Sequence, residues 1–328
     1  LDGEPFDDPM QRLVRQVMRL ADSNHDGEPT WKELLDNPQE DYTRDLLSVR
    51  TLRNDPSVNM SKPKTILDVQ DLYAAYTPGK PVVQGVDFSI DRRKTVAVVG
   101  ESGSGKTTVA RIITGLLPPY QGRILFDGEE LSRKLADRDR EILRRMQMIY
   151  QMPDVALNPK QKISKIIGRP LSFYGRTNGG EGNPRIKELL DMVELPAAYM
   201  QRYPSELSGG EKQRICIARA LAADPDLIIC DEVTSALDQL VAEGVLQLLQ
   251  RLQNELGVSY LFITHDLATV KAIADEIIVM LNGRIVEQGS RNEVLRPPHH
   301  EYTELLLSSV PEMDPDWLDN LLEDREVA

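Results

Sequence analysis

Val96-Ala97-Val98-Val99-Gly100-Glu101-Ser102-Gly103-Ser104-Gly105-Lys106-Thr107-Thr108-Val109-Ala110 is the stretch on which the fold turns. It carries the pattern GxxxxGK[ST] from Gly100 to Thr107, after an apolar run that begins at Thr95 and before a helix-like run that continues to Ile113. That strand, loop and helix order is the context the pattern requires. Glycines at 100, 103 and 105 let the backbone curl until successive N–H groups face inward, forming an anion nest at a helix N-terminus. Lys106 is expected to bridge the β- and γ-phosphates of a nucleotide as a point charge, and the Thr107 hydroxyl to ligate Mg²⁺. Gly100, Ser102, Gly103, Ser104, Gly105, Lys106, Thr107 and Thr108 are therefore the candidate nucleotide-binding set.

Further on, Leu227-Ile228-Ile229-Cys230 reads as a second buried parallel strand ending in two carboxylates, Asp231 and Glu232. Neighbours on a strand point to opposite faces, so the two acids are expected to do different work. Asp231 suits the Mg²⁺ shell and Glu232 suits polarising an attacking water. A base so placed contributes roughly 10²–10⁴ in rate.

The segment Leu207-Ser208-Gly209-Gly210-Glu211-Lys212-Gln213-Arg214 opens a helix whose N-terminal amides and Ser208 hydroxyl can hold another anion. It resembles the signature motif of ATP-binding-cassette (ABC) ATPases, and the resemblance extends from about residue 64 to 310. It implies an α/β fold of the P-loop NTPase ABC type. Its parts are a mixed sheet core, an N-terminal antiparallel β subdomain and an inserted α-helical subdomain. By the same resemblance Tyr76 stacks on adenine, with Tyr73 a nearby competitor. Gln151 senses Mg²⁺ and the membrane partner, and Ser235-Ala236-Leu237-Asp238 crosses between subunits. His265, after the apolar Tyr260-Leu261-Phe262-Ile263, contacts the γ-phosphate. The catalytic set is thus Glu232, His265 and Gln151. The Mg²⁺ set is Thr107, Gln151 and Asp231, with Ser208, Gly209, Gly210 and Asp238 also at nucleotide. In this family ATP is held between the phosphate loop of one cassette and the signature of another. Ser208 and Gly210 would then serve ATP bound to a partner cassette.

Composition sets bounds on these readings. The chain has 328 residues, 41% of them hydrophobic, enough for one large domain with appendages. A net charge of −13, from 39 basic and 52 acidic residues, argues against nonspecific binding to nucleic acid or anionic lipid. The longest apolar runs, such as Ile277 to Leu281, fall short of a spanning helix, and no secretory signal is visible. Membrane association is therefore expected through a protein partner, and the resemblance implies the cytoplasmic face of the inner membrane. Cys216 and Cys230 lack metal-ligand spacing and are expected to be reduced thiols.

Organisation follows from the order of patterns. Ile66 to Tyr76 and Val82 to Ile90 read as an antiparallel edge sheet. A largely helical insert is expected from about 151 to 221, and Glu276 to Glu287 is a hairpin around Asn282-Gly283. The ATPase domain is placed at 63–290 and a tail at 291–328. Gln151-Met152-Pro153-Asp154-Val155-Ala156-Leu157-Asn158-Pro159 resembles the extended glutamine loop of oligopeptide, dipeptide and nickel importer ATPases. Pro297-Pro298-His299-His300-Glu301-Tyr302 resembles that subfamily's tail, with His300-Glu301 where His-Pro is usual. The cysteine cluster that some members carry after it is missing, so no iron–sulfur cluster is expected. The function implied is ATP hydrolysis powering import of peptides or related small solutes, together with transmembrane permease subunits. A soluble ABC ATPase acting on nucleic acid or ribosomes, or a Ca²⁺-responsive module, is the alternative.

Residues 1–62 carry two further patterns. Glu33 to Ser48 is echoed by Glu293 to Ser308, with identities that include Pro38/Pro298, Tyr42/Tyr302 and Leu46/Leu306. The separation is about one ATPase domain. The expectation is the C-terminal half of a tandem protein that begins inside the tail of a first cassette; the second cassette at the site is then that domain or another copy of this chain. The same region satisfies D-x-[DN]-x-[DN]-G-x₅-E, with Asp22, Asn24, Asp26, Glu28 and Glu33 as oxygen ligands for Ca²⁺. Against this, Pro29 lacks the N–H with which such loops pair and the sequence offers no second loop to pair with; a polar turn between two helices is the other reading.

Overall fold

Strands that alternate and strands that do not divide this fold into two sheets. The computed structural model describes residues 65–176 and 183–308, except the side chain of Ala268. The candidate Ca²⁺ residues Asp22, Asn24, Asp26, Glu28 and Glu33, the first copy of the repeat and the tail after Ser308 lie outside the described residues. Strands β1 (Thr65–Thr77) and β2 (Lys80–Asp91) pair antiparallel, with Val69 opposite Phe88 and Ala74 opposite Val83. Strand β3 (Thr95–Val99) leaves this hairpin and leads to helix α1 (Lys106–Ile113). Strands β4 (Gln121–Phe126) and β5 (Glu129–Glu130) then return to the first sheet, whose order is β2-β1-β4-β5. They extend it beyond the two strands expected from the sequence.

Helix α2 (Arg140–Arg145) runs into β6 (Met146–Ile149), the edge of the second sheet. Next come helices α3 (Pro153–Ala156), α4 (Ile163–Phe173), α5 (Pro184–Met192) and α6 (Gly209–Leu221), before the chain re-enters the sheet as β7 (Leu227–Asp231). Helix α7 (Gln239–Leu256), β8 (Ser259–Ile263), α8 (Leu267–Ile273), β9 (Glu276–Leu281) and β10 (Arg284–Ser290) complete the core. Helices α9 (Arg291–Val294) and α10 (Glu301–Ser308) follow. The second sheet has the order β10-β9-β3-β8-β7-β6, parallel except for the β9–β10 hairpin.

Every residue of β3, β7 and β8 is buried, as parallel strands covered on both faces must be. Helix α1 contributes Val109, Ile112 and Ile113 to a core shared by both sheets, with Leu67 and Phe126 from the first and Val98 and Ile229 from the second. Each fully buried side chain of this size contributes about 1.5–3 kcal/mol, so the helix behind the phosphate loop is fixed from two sides. Helix α6 packs on α3, α4 and α5 and also on β6, which makes it both part of the helical insert and its link to the core. Cys216 and Cys230 are free and buried; burial pushes the Cys216 thiol up to about 11 and raises that of Cys230 as well.

Candidate functional site

The loop after β3 is shaped by what cannot fit beside it. Gly100 sits at φ 147, and a Cβ there would lie 2.2 Å from the Met280 carbonyl oxygen, so no side chain is possible. Lys106 Nζ donates to the carbonyl oxygens of Gly100 at 2.7 Å and Glu101 at 2.8 Å, crossing beneath the loop. Burial lowers the Lys106 pKa against the opposing pull of Glu232, Asp231 and Glu101. The N–H groups of Gly103, Gly105, Lys106, Thr107 and Thr108 have no acceptor among the described residues. Ser104 Oγ is buried and likewise without a partner. Free amides, a buried ammonium and an unpaired hydroxyl on one turn form an anion site at the start of α1.

Asp231 ends β7 directly beside this turn, where its Oδ1 accepts from Thr107 Oγ1 at 2.9 Å. Burial raises the Asp231 pKa, and the Thr107 hydroxyl partly offsets that rise. Glu232 lies past the strand end, at φ 50, and its N–H donates to the Ile263 carbonyl at the end of β8 at 2.9 Å. A left-handed residue, rather than the strand pleat, therefore separates the two carboxylates. Glu232 Oε2 accepts from Gln151 Nε2 at 2.6 Å, and Oε1 lies 3.5 Å from Nδ1 of His265. The ends of β6, β7 and β8 thus bring Gln151, Glu232 and His265 together.

Tyr76, half-exposed at the end of β1, reaches α1: its hydroxyl lies 3.4 Å from Thr108 Oγ1 and accepts from Arg111 at 3.1 Å. Tyr73 instead faces the Tyr120 ring, with centroids 6.1 Å apart. Of the two competing tyrosines, Tyr76 is the one beside the loop helix.

The signature segment is built differently. Ser208 caps α6 in a reciprocal box: its Oγ accepts from the Glu211 N–H at 3.3 Å, and its own N–H donates to Glu211 Oε2 at 2.7 Å. Tyr199 donates to the other carboxylate oxygen of Glu211 at 2.5 Å, the main reason the Glu211 carboxyl is held below the usual range. Ser208 and Gly209 are exposed. A Cβ on Gly210 would lie 2.4 Å from Val241 Cγ1, so α6 approaches α7 closely there. Asp238 caps α7 by accepting from the Val241 N–H at 3.0 Å. Two participants were not assigned to the site from the sequence: Arg111, and Tyr302, quoted there only as part of the tail, whose hydroxyl accepts the Glu101 N–H at 2.8 Å.

The donor chemistry suits Mg²⁺. Thr107 and Asp231 offer a hydroxyl and a carboxylate oxygen, hard donors of the kind Mg²⁺ takes alongside water and phosphate. Among the described residues no cluster of three or more His, Cys, Asp or Glu could hold a metal by itself.

Residues 83–235 match the family model described as "ABC transporter", and residues 286–326 match "Oligopeptide/dipeptide transporter, C-terminal region". The chain is 41% identical over 259 residues to the oligopeptide transport ATP-binding protein OppF of Lactococcus lactis subsp. lactis (strain IL1403), covering 76% of this chain and 81% of that protein. It is 41% identical over 234 residues to the dipeptide transport ATP-binding protein DppF of Escherichia coli (strain K12), covering 71% and 70%. Among solved structures, cbiO1 from Clostridium perfringens aligns with a TM-score of 0.61 at 28% identity, covering 70% of this chain and 90% of that one. A dimeric ATP-binding cassette in a post-hydrolysis state, bound to ADP and Pi, aligns with a TM-score of 0.59 at 28% identity, covering 69% and 98%.

Proposed function

This chain belongs to the ABC transporter family as an ATP-hydrolysing importer subunit, and from that premise we propose how its residues divide the work and what the import serves. The loop amides, Lys106 and the Ser104 hydroxyl bind the phosphates of ATP, and Tyr76 lies against the base. Thr107 and Asp231, with Gln151 nearby, hold Mg²⁺, which when bound neutralises charge on the transferring phosphoryl group. Glu232 accepts a proton from the attacking water. Gln151 donates to one oxygen of its carboxylate and so fixes its direction, and His265, 3.5 Å from the other oxygen, contacts the γ-phosphate. The observation that carries this reading is the pair of contact sets, Thr107 with Asp231 and Gln151 and His265 with Glu232, on adjacent residues beside a loop with unpaired amides.

Ser208 is exposed and spends its hydroxyl on its own helix start, and α6 presents the segment outward. We assign it to ATP held by a second cassette, either another copy of this chain or a neighbouring domain. Peptides are the solute class, on the names of the relatives and the match of residues 286–326. The cassette sits at the cytoplasmic face of the membrane through transmembrane permease subunits. Among the described residues no helix is long and apolar enough to cross a membrane.

The test is reconstitution of the full chain with its permease and second cassette in vesicles holding ATP on the cassette side. Uptake of labelled short peptide is expected to require ATP and to cease with Glu232→Gln. ATP turnover that proceeds with no solute uptake, in a chain that co-purifies with ribosomal RNA, would sink the importer reading.

A further inference from the structure

The phosphate loop is held from outside as well as from within. Within it Glu101 has both its carbonyl and its N–H engaged, and its N–H reaches out of the loop altogether. Its carbonyl accepts from Lys106 Nζ at 2.8 Å and from the Ser104 N–H at 3.2 Å, and its N–H donates to Tyr302 Oη at 2.8 Å. Tyr302 lies on α10, in the region that matches the oligopeptide/dipeptide transporter C-terminal model. Only Tyr302 and Thr303 of that helix are buried, while Glu301, Glu304 and Leu305 face solvent. The helix start is itself fixed, since His300 Nδ1 accepts from the Tyr302 N–H at 3.1 Å and Glu287 of β10 accepts from the His300 N–H at 3.1 Å. A buried tyrosine on a largely exposed helix, anchored at its base to the core sheet, thus reaches a loop amide with its hydroxyl.

The geometry assigns Tyr302 as a positioning residue for nucleotide binding: its hydroxyl fixes the Glu101 peptide and thereby the loop conformation in which the following amides stay free for phosphate. This inference rests on the nucleotide site proposed above. Without that hydroxyl the Gly100–Glu101 peptide is held only at its carbonyl, by Lys106, and a unit so loosened spends part of its time with the loop misaligned. Nucleotide affinity then falls by the fraction of competent loops. The coupling is reciprocal, so bound nucleotide must in turn steady α10.

The experiment measures equilibrium binding of a fluorescent ATP analogue with Mg²⁺ by the full chain, with thermal unfolding in parallel. Tyr302→Phe keeps the ring and removes only the oxygen. Its dissociation constant is expected to rise about two- to twelvefold, the worth of one hydrogen bond of this kind, with an unchanged Tm. In hydrogen exchange, nucleotide is expected to protect the α10 amides of the native chain and not those of Tyr302→Phe. Lys106→Ala serves as the reference. If it loses binding while Tyr302→Phe binds like the native chain, this inference falls and the site stands. If Lys106→Ala still binds normally, the site itself is misplaced. A Tyr302→Phe variant that loses affinity only in proportion to a lowered Tm also overturns the assignment, because Tyr302 is then a packing residue.

Discussion

The turn at Gly100 to Thr108 and the turn at Ser208 to Glu211 are both glycine-containing helix starts, yet one converges and the other does not. Around the first, side chains from β6, β7, β8 and β1 gather on one point, and amides and a hydroxyl are left unpaired there. Around the second, the capping box and Tyr199 consume the local polar groups, and the serine faces outward. The first is a site in its own right. The second is rigid scaffolding that becomes a site only when something else supplies the phosphate. An exposed, self-capped helix start costs nothing to leave in water, whereas a buried hydroxyl without a partner does.

Substitutions sharpen the contrast, starting where the expected effect is largest. Glu232→Gln keeps the shape of the side chain and the contact with Gln151, and removes the proton acceptor. Turnover measured by phosphate release is expected to fall by roughly 10²–10⁴ while ATP affinity stays within about twofold, the pattern of an interaction made only in the transition state. Unchanged turnover would remove Glu232 from the role of base.

Ser208→Arg probes the other turn. Hydrolysis is expected to fall by about 10²–10³, the cost of losing one preformed anion donor, although the same chain binds nucleotide as before. The sharper form mixes the two crippled chains. If each signature serves its partner's phosphate loop, a mixed pair rebuilds one working site from two inactive chains. For pairs of this chain with itself, equal mixing restores about a quarter of native turnover, since half the pairs are mixed and each has one live site. No recovery on mixing, in a chain shown to pair with itself, would mean that both turns act within one molecule.

Much of the converging region was legible in the sequence because its parts carry local marks. A buried strand running into Gly100 to Thr107 and another ending in Asp231-Glu232 each have a short-range pattern. What escaped was geometry without such a mark. Nothing in a glutamate announces a φ of 50, so alternation along the strand was the wrong reason for separating Asp231 from Glu232. Tyr76 was preferred to Tyr73 by resemblance alone, because register shifts in β1 between Val69 and Leu72 and again before Ala75 break the two-residue period that would have ranked them. Strand β4 mixes Gln121, Gly122 and Arg123 with an apolar end and β5 is only Glu129-Glu130, which hides both from a periodicity argument. Tyr302 meets Glu101 across 201 positions of sequence, and no pattern in either neighbourhood links them.

The smallest effect is expected where the two regions are mechanically joined. Lys212, in the first turn of α6, pairs with Asp154 at 2.6 Å, and Arg219 further along the helix donates to the Ala156 carbonyl at 2.5 Å. Both partners belong to α3, which follows Gln151 directly, so the outward turn is tied to the residue that touches Glu232. The Asp154 carboxylate is 68% exposed, which keeps the pair's contribution to stability at about 0–1 kcal/mol. Lys212→Ala should therefore unfold within a few degrees of the native chain and bind nucleotide normally. Its effect is expected in coupling: loss of one of two ties lets α6 move without moving Gln151, and permease-stimulated turnover drops about two- to fourfold while basal turnover holds, a shift of the size that coupling free energies near 0.5–1 kcal/mol give. Equal loss of basal and stimulated turnover would show instead that the tie shapes the catalytic end itself, and the separation between the two turns would be less complete than their geometry suggests.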